Sequence, residues 1–159
     1  MAIKTGDKLP SATVFLMSEN GPKAVTTDEL FAGKKVVLFA VPGAFTPTCS
    51  QAHLPGYVVH ADTIKAKGVD AIYCLSVNDP FVMSAWGKAS NAEAITMVAD
   101  GNGAFTKALG LELDGSGVGL GIRSQRFALI ADNGVVTRLN VEAPKEFKVS
   151  DAETILAAL

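Results

Sequence analysis

The stretch KKVVLFAVPGAFTPTCS, residues 34–50, decides how the rest of this sequence is read. Its first half, 34–41, carries a continuous apolar run of the kind that forms a strand buried on both faces of a parallel sheet. Its second half is a loop, 42–48, containing two prolines, a glycine and two threonines. Cys49 follows, at or near the start of a helix. In an open α/β sheet, chemistry gathers beyond the carboxyl ends of the parallel strands. The loop leaves such an end, so Cys49 is presented where a site is expected rather than packed inside an element.

Working outward, the helix from about Cys49 carries Tyr57, Val58, Ala61, Ile64 and Ala66 at helical spacing. Pro55 and Gly56 are predicted to kink or interrupt it, and Gly68 to stop it. VDAIYCLSV (69–77) is the next strand, apolar on both faces and therefore central. NDPFVMSAWGKA (78–89) opens a helix, with Asn78 or Asp79 as its cap and Pro80 at its first position. AITMVAD (94–100) is a third strand, after which Asp100 or Asn102 caps a helix running through Leu109. QRFALIADNGVVTRLNVE (125–142) is a hairpin turning at Asp132-Asn133-Gly134. SDAETILAAL (150–159) is a terminal helix, with Ser150 and Glu153 spaced as a capping box. The order predicts an α/β fold with a central mixed β-sheet flanked by helices, closed by a C-terminal β-hairpin plus helix. A thioredoxin-like sandwich fits it. No repeat or linker divides residues 1–159, which read as a single domain.

Composition narrows the function. A chain of 159 residues is long enough to bury a core, and 48% hydrophobic with 19% charged residues argues against disorder. The net charge of −2 comes with no basic stripe, which argues against nucleic acid as a partner. The apolar runs are too short to cross a bilayer. The opening MAIKTGDKLPSATVF has neither a signal-peptide core nor an Arg-rich amphipathic pattern, so the expected location is cytoplasmic. Two cysteines do not make a disulfide framework, which leaves packing or redox chemistry. Two histidines without a Cys/His cluster argue against a metal site, and no phosphate-binding glycine pattern opens a helix after a strand. The glycine-rich GSGVGLG (115–121) lies before a strand and reads as a flexible loop.

The chemistry of Cys49 follows from its place. Unpaired amides and the positive end of a helix dipole favour an anion there, and a thiolate is one. Helix N-termini and neighbouring cations lower a cysteine pKa from about 8.5 into the range of roughly 3.5–7.5. Thr46, three residues earlier, can turn its hydroxyl toward the sulfur or a substrate oxygen. Pro42 stiffens the exit from the strand, and Pro47 holds Thr46 extended while withholding an N–H.

Pro42, Thr46 and Cys49 form the PxxxTxxC pattern of peroxiredoxins. GKKVVLFAVPGAFTPTCSQAHLPGYV, VDAIYCLSVNDPFVMSAWGK and RSQRFALIADNG, in this order, resemble the type II, peroxiredoxin-five-like group over roughly Gly6 to Leu159. The resemblance implies a thiol peroxidase acting on hydrogen peroxide and small alkyl hydroperoxides, with no metal, flavin or haem. By the same resemblance Cys49 attacks the peroxide and becomes a sulfenic acid, Thr46 hydrogen-bonds the substrate and Pro42 shields the sulfur. Arg126 holds the thiolate and polarises the O–O bond. Composition does not separate Arg126 from Arg123; the resemblance does. Phe45 and His53 are candidates for the substrate pocket, though Phe45 and Phe81 equally suit core or interface, and His53 equally suits the surface.

Some relatives resolve the sulfenic acid with a second cysteine of the same chain. Here that residue is Cys74, in the middle of a buried strand, where a direct bridge to Cys49 requires local unfolding. The other reading of Cys74 is a small buried hydrophobe. An outside thiol, glutathione with glutaredoxin or else thioredoxin, is then the expected reductant. The resemblance also implies a homodimer and an opening step at Cys49, for which the Pro55-Gly56 break offers a place. A thioredoxin-type disulfide reductase wants C-x-x-C, whereas this chain has Cys49-Ser50-Gln51-Ala52. The alternative reading is a non-catalytic redox sensor that passes oxidation of Cys49 to a partner; catalytic turnover separates it from a peroxidase.

Overall fold

The run at 34–41 forms a strand whose two faces are both covered. In the computed structural model, which describes residues 2–159, β3 (Lys35–Ala40) is buried along almost its whole length. Val37 and Phe39 pack into one core with Cys49, and Val36, Leu38 and Ala40 into the other. That split is the two-residue period of a strand serving two layers. β3 pairs in parallel with β4 (Ala71–Ser76), which pairs in parallel with β5 (Thr96–Ala99). On its other side β3 is antiparallel to β8 (Phe127–Asp132), the first strand of the hairpin completed by β9 (Val135–Val141). Asn133 (φ 49°) and Gly134 (φ 78°) make that turn, both in the left-handed region that matches strand twist.

The sequence reading missed the opposite edge. β1 (Thr13–Ser18) and β2 (Gly21–Thr26) form an N-terminal hairpin, and β1 lies antiparallel to β5. The sheet therefore has seven strands, in the order β2-β1-β5-β4-β3-β8-β9. One core holds α2 (Leu54–Ala66), α3 (Pro80–Ala89) and α5 (Ala152–Ala157); the other holds α1 (Thr27–Phe31) and α4 (Ala104–Leu109). The mixed sheet flanked by helices, with its terminal hairpin and helix, is the thioredoxin-like fold.

Three local expectations are corrected. The glycine-rich stretch 115–121 is not a free loop: it carries a short 3₁₀ turn (Ser116–Val118) and joins β6 (Glu112–Asp114) to β7 (Ile122–Ser124) in a small hairpin. The cap of α5 is Asp151, whose carboxylate accepts from the Thr154 amide at 3.3 Å, and not Ser150. Ser150 instead gives its hydroxyl to the buried Glu142 carboxylate at 2.7 Å. Finally, Pro55 and Gly56 do not interrupt a helix. Pro55 lies in the first turn of α2, where its missing N–H is harmless. The irregularity falls just upstream, as a π turn over Cys49–His53.

Candidate active site

The loop after β3 is fixed at both ends. The Val41 amide donates to the Leu75 carbonyl at 3.0 Å, continuing the ladder one residue past the strand. Asn78 accepts from the Ala44 amide at 3.0 Å, which leaves Asp79 to cap α3 through the Val82 amide at 2.8 Å. The Ser50 amide reaches the Thr46 carbonyl at 2.9 Å, so the helix begins at Pro47, two residues before the expected start. Cys49 thus sits in its first turn. From there the winding widens, and the Leu54 amide bonds the Cys49 carbonyl. Pro55 supplies a reason: it lacks the N–H for the ordinary bond and its ring crowds the carbonyl four residues back, which the wider turn relieves.

Arg126 stands immediately before β8, and β8 is antiparallel to β3, so the guanidinium arrives at the carboxyl end of β3 from the neighbouring strand. Its Nη2 donates to the Cys49 sulfur at 3.1 Å. Its Nη1 is 2.8 Å from Nδ1 of His53, and the guanidinium carbon lies 5.8 Å from the Phe147 ring centroid. His53 Nε2 is 3.0 Å from the Ser150 carbonyl, to which Tyr57 also donates at 2.7 Å. Burial, reinforced by the Arg126 charge, lowers the His53 pKa from 6.5 to about 3, so the ring is neutral at physiological pH. A carbonyl can only accept, so Nε2 carries the proton and the Nδ1 lone pair faces Arg126. Burial acts to raise the Glu142 pKa, yet hydrogen bonds from the Ser150 hydroxyl and the amides of Lys148, Val149 and Ser150 prevail and hold it below the usual carboxylate range.

Thr46 commits its hydroxyl hydrogen to the Gly43 carbonyl at 2.7 Å, so what it offers a ligand is a lone pair. Pro42 lines a largely apolar cavity of about 570 Å³ together with Thr48, Val118, Leu120, Arg126 and Phe147. Arg123 lies apart from the sulfur: it ties two loops together, donating to the Leu120 carbonyl at 2.9 Å and the Pro42 carbonyl at 3.3 Å. Phe45 and His53 do not line the cavity. Phe45 is 55% exposed and packs toward Trp86 with ring centroids 6.4 Å apart, while His53 is buried behind Arg126. Phe81 is 63% exposed. Cys49 and Cys74 are both free and buried. Burial, then the nearby charge of Cys49, pushes the Cys74 thiol well above its usual range, which leaves it inert as a nucleophile.

Nothing in the sequence pointed to Glu142, Phe147 or Ser150 at this site. Glu142 reads as the polar end of a strand and Ser150 as a helix cap; only the return of the chain over His53 brings them here. Among the described residues no cluster of His, Cys, Asp or Glu is arranged to hold a metal ion, and no helix is long and apolar enough to cross a membrane.

The sequence matches the Redoxin family over residues 4–156. It is 54% identical over 159 residues to Peroxiredoxin-2C of Arabidopsis thaliana, covering 99% of this chain and 98% of the relative. The chain belongs to the Redoxin family, as a type II peroxiredoxin. Its fold is that of reduced Prx3 from Vibrio vulnificus in complex with hydrogen peroxide, with a TM-score of 0.95, 67% identity and 98% of each chain covered. Peroxiredoxin 5 from Alvinella pompejana superposes with a TM-score of 0.87 at 37% identity, over 98% of this chain and 97% of that one. This peroxiredoxin is a thiol-dependent peroxidase, an oxidoreductase that takes electrons from thiols to reduce peroxide.

Proposed function

We propose that Cys49 is the peroxidatic residue of this enzyme and that its substrates are hydrogen peroxide and small alkyl hydroperoxides. The observation that carries the reading is the 3.1 Å contact of the Arg126 guanidinium with the Cys49 sulfur. A fixed cation at that distance favours the thiolate, which is the nucleophile. The thiolate attacks the terminal peroxide oxygen; an S–O bond forms as the O–O bond breaks. Cys49 becomes a sulfenic acid and the departing alkoxide or hydroxide takes a proton. Arg126 donors aimed at the departing oxygen stabilise the charge developing on it. Thr46 accepts from the peroxide O–H with its free lone pair, and Pro42 walls the sulfur from water.

Resolution is assigned to an outside thiol. Cys74 is wholly buried in β4, which argues for a packing role. Glutathione with glutaredoxin, or thioredoxin, attacks the sulfenic sulfur and releases water; a second thiol then frees Cys49 and leaves as a disulfide. Because thiols supply the electrons, the cycle calls for no cofactor. Cys49 itself has no exposure, so a bulky reductant reaches it only after the turn over Cys49–His53 opens. Exposed Phe45 and Phe81 beside this surface support a homodimer, and two free cysteines support a reducing compartment such as the cytoplasm.

The deciding experiment is peroxide consumption with glutathione plus glutaredoxin, thioredoxin or dithiothreitol, on wild type, Cys49→Ser and Cys74→Ser. Activity is expected to vanish in Cys49→Ser and persist in Cys74→Ser. If Cys74→Ser stops turnover while a single oxidation of Cys49 survives, the outside-thiol route is wrong.

A further inference from the structure

Arg126 is held in an unusual way. A guanidinium on a long side chain needs partners to fix it, and a carboxylate fork is the usual one. Among the described residues no carboxylate pairs with Arg126; the ion pairs are His60 with Glu153 and Lys148 with Glu146. Its partner is instead the neutral ring of His53, through Nδ1 at 2.8 Å. The ring is seated on every side: Phe39, Phe147 and Tyr57 lie with centroids 5.0, 4.9 and 5.7 Å away. Its other nitrogen is fixed by the Ser150 carbonyl at 3.0 Å. Ser150 is in turn fixed by Glu142, which takes its amide at 2.8 Å and its hydroxyl at 2.7 Å, along with the amides of Lys148 and Val149 at 2.9 Å.

We propose that His53 is a positioning residue for the peroxidase reaction: Glu142 sets the main chain at Ser150, the Ser150 carbonyl sets the tautomer and angle of the His53 ring, and the ring aims the Arg126 fork at the Cys49 sulfur. The physical advantage is in the charge. A carboxylate beside Arg126 would orient it but would also neutralise the field that the thiolate and the departing oxygen need. A neutral imidazole accepts one N–H and leaves the cation's charge undiminished. The negative charge of Glu142 is kept behind Ser150, with its oxygens occupied by the loop. The proposal rests on the reading of Cys49 and Arg126 given above.

The test separates aiming from folding. Pre-steady-state oxidation by hydrogen peroxide depends on Arg126 meeting the departing oxygen, whereas alkylation by iodoacetamide depends on the thiolate and its access alone. His53→Phe keeps a ring in the pocket and removes the acceptor; it is expected to slow peroxide oxidation by about ten- to a hundredfold, as a small misplacement of a catalytic group does. Its alkylation rate should change by less than about threefold, a difference too small to reflect a lost group. His53→Gln, whose amide oxygen and nitrogen are able to meet Arg126 and Ser150 together, should recover most of the peroxide rate. Glu142→Gln should show the same selective loss in weaker form, and it carries the test if His53→Phe does not fold. Equal slowing of both reactions, a wild-type peroxide rate in the tested variant, or a His53→Gln enzyme as slow as His53→Phe each overturns the positioning role and leaves Cys49 untouched. Residual turnover in Cys49→Ser overturns the reading beneath it, and the positioning role with it.

Discussion

At Arg126 the identity of the cation matters as much as its charge. One fork serves two acceptors, Cys49 Sγ at 3.1 Å and His53 Nδ1 at 2.8 Å, and a lysine ammonium has no planar fork with which to bridge them. Arg126→Lys is therefore expected to lose about a hundredfold or more in the peroxide rate constant, near the roughly 2.7–4 kcal/mol typical of a lost charge-stabilising donor. Stopped-flow oxidation measures it, and a loss under about tenfold would show that charge alone suffices. Gly43 is a second sensitive residue. A Cβ there would lie 2.8 Å from Arg123 Nη1 and 3.1 Å from the Thr46 methyl. Because the end of an arginine can swing away, Gly43→Ala is expected to cost only about 1 kcal/mol of stability, as ordinary single substitutions do. It should still break the Arg123 tie to the Pro42 carbonyl, and a crystal structure of the variant would show whether Arg123 has moved.

The element that governs Cys49 is the π turn over Cys49–His53, and Pro55 is the residue argued to impose it. Pro55→Ala restores the N–H that an ordinary helical turn needs. The expected outcome is a variant at least as stable as wild type but slower with peroxide, because tightening the turn rotates Cys49 away from Arg126. Unfolding by urea paired with oxidation kinetics checks it; unchanged kinetics would clear Pro55 of this role. The same turn carries a reporter. Trp86 on α3, the chain's single tryptophan, donates its indole N–H to Ser50 Oγ at 3.0 Å. Ser50→Ala leaves that buried donor unpaired at a cost of about 1–3 kcal/mol. Trp86 emission should shift in this variant and should track opening of the wild-type turn on oxidation.

Across the whole molecule, the buried polar groups behind the site set the pH range of stability. His53 has a folded pKa of about 3 against 6.5, so above pH 6.5 it is neutral whether the chain is folded or not. Below that, the unfolded chain binds a proton that the folded one refuses. The stability is therefore present above pH 6.5 and lost as pH falls toward 3, by about 1.4 kcal/mol per pH unit. Glu142, depressed below its usual 4.5, acts in the same direction: its contribution is present above that value and lost below it. Urea unfolding at about pH 6.5 and 4.5 should show a loss of about 2–3 kcal/mol, with a flatter response in His53→Gln. Equal slopes for the two proteins would mean that other groups drive acid unfolding.

The sequence by itself determined the central strands, the hairpin turn at Asn133-Gly134 and the placement of Cys49 beyond a parallel strand. Each of these is written in neighbouring residues: apolar period, turn chemistry, and a loop of prolines ending in a cysteine. The edge strands β1 and β2 escaped because their exposed residues break the apolar pattern and their pairing with β5 is a long-range event. The resemblance chose Arg126 over Arg123, and the geometry shows the physical difference between them: one reaches sulfur and the other ties loops. Only the tertiary structure decided the surroundings of His53. Ser150 and Glu142 are far from it in sequence, and their roles exist because the chain after β9 returns over the ring and satisfies buried donors and acceptors that no local pattern records.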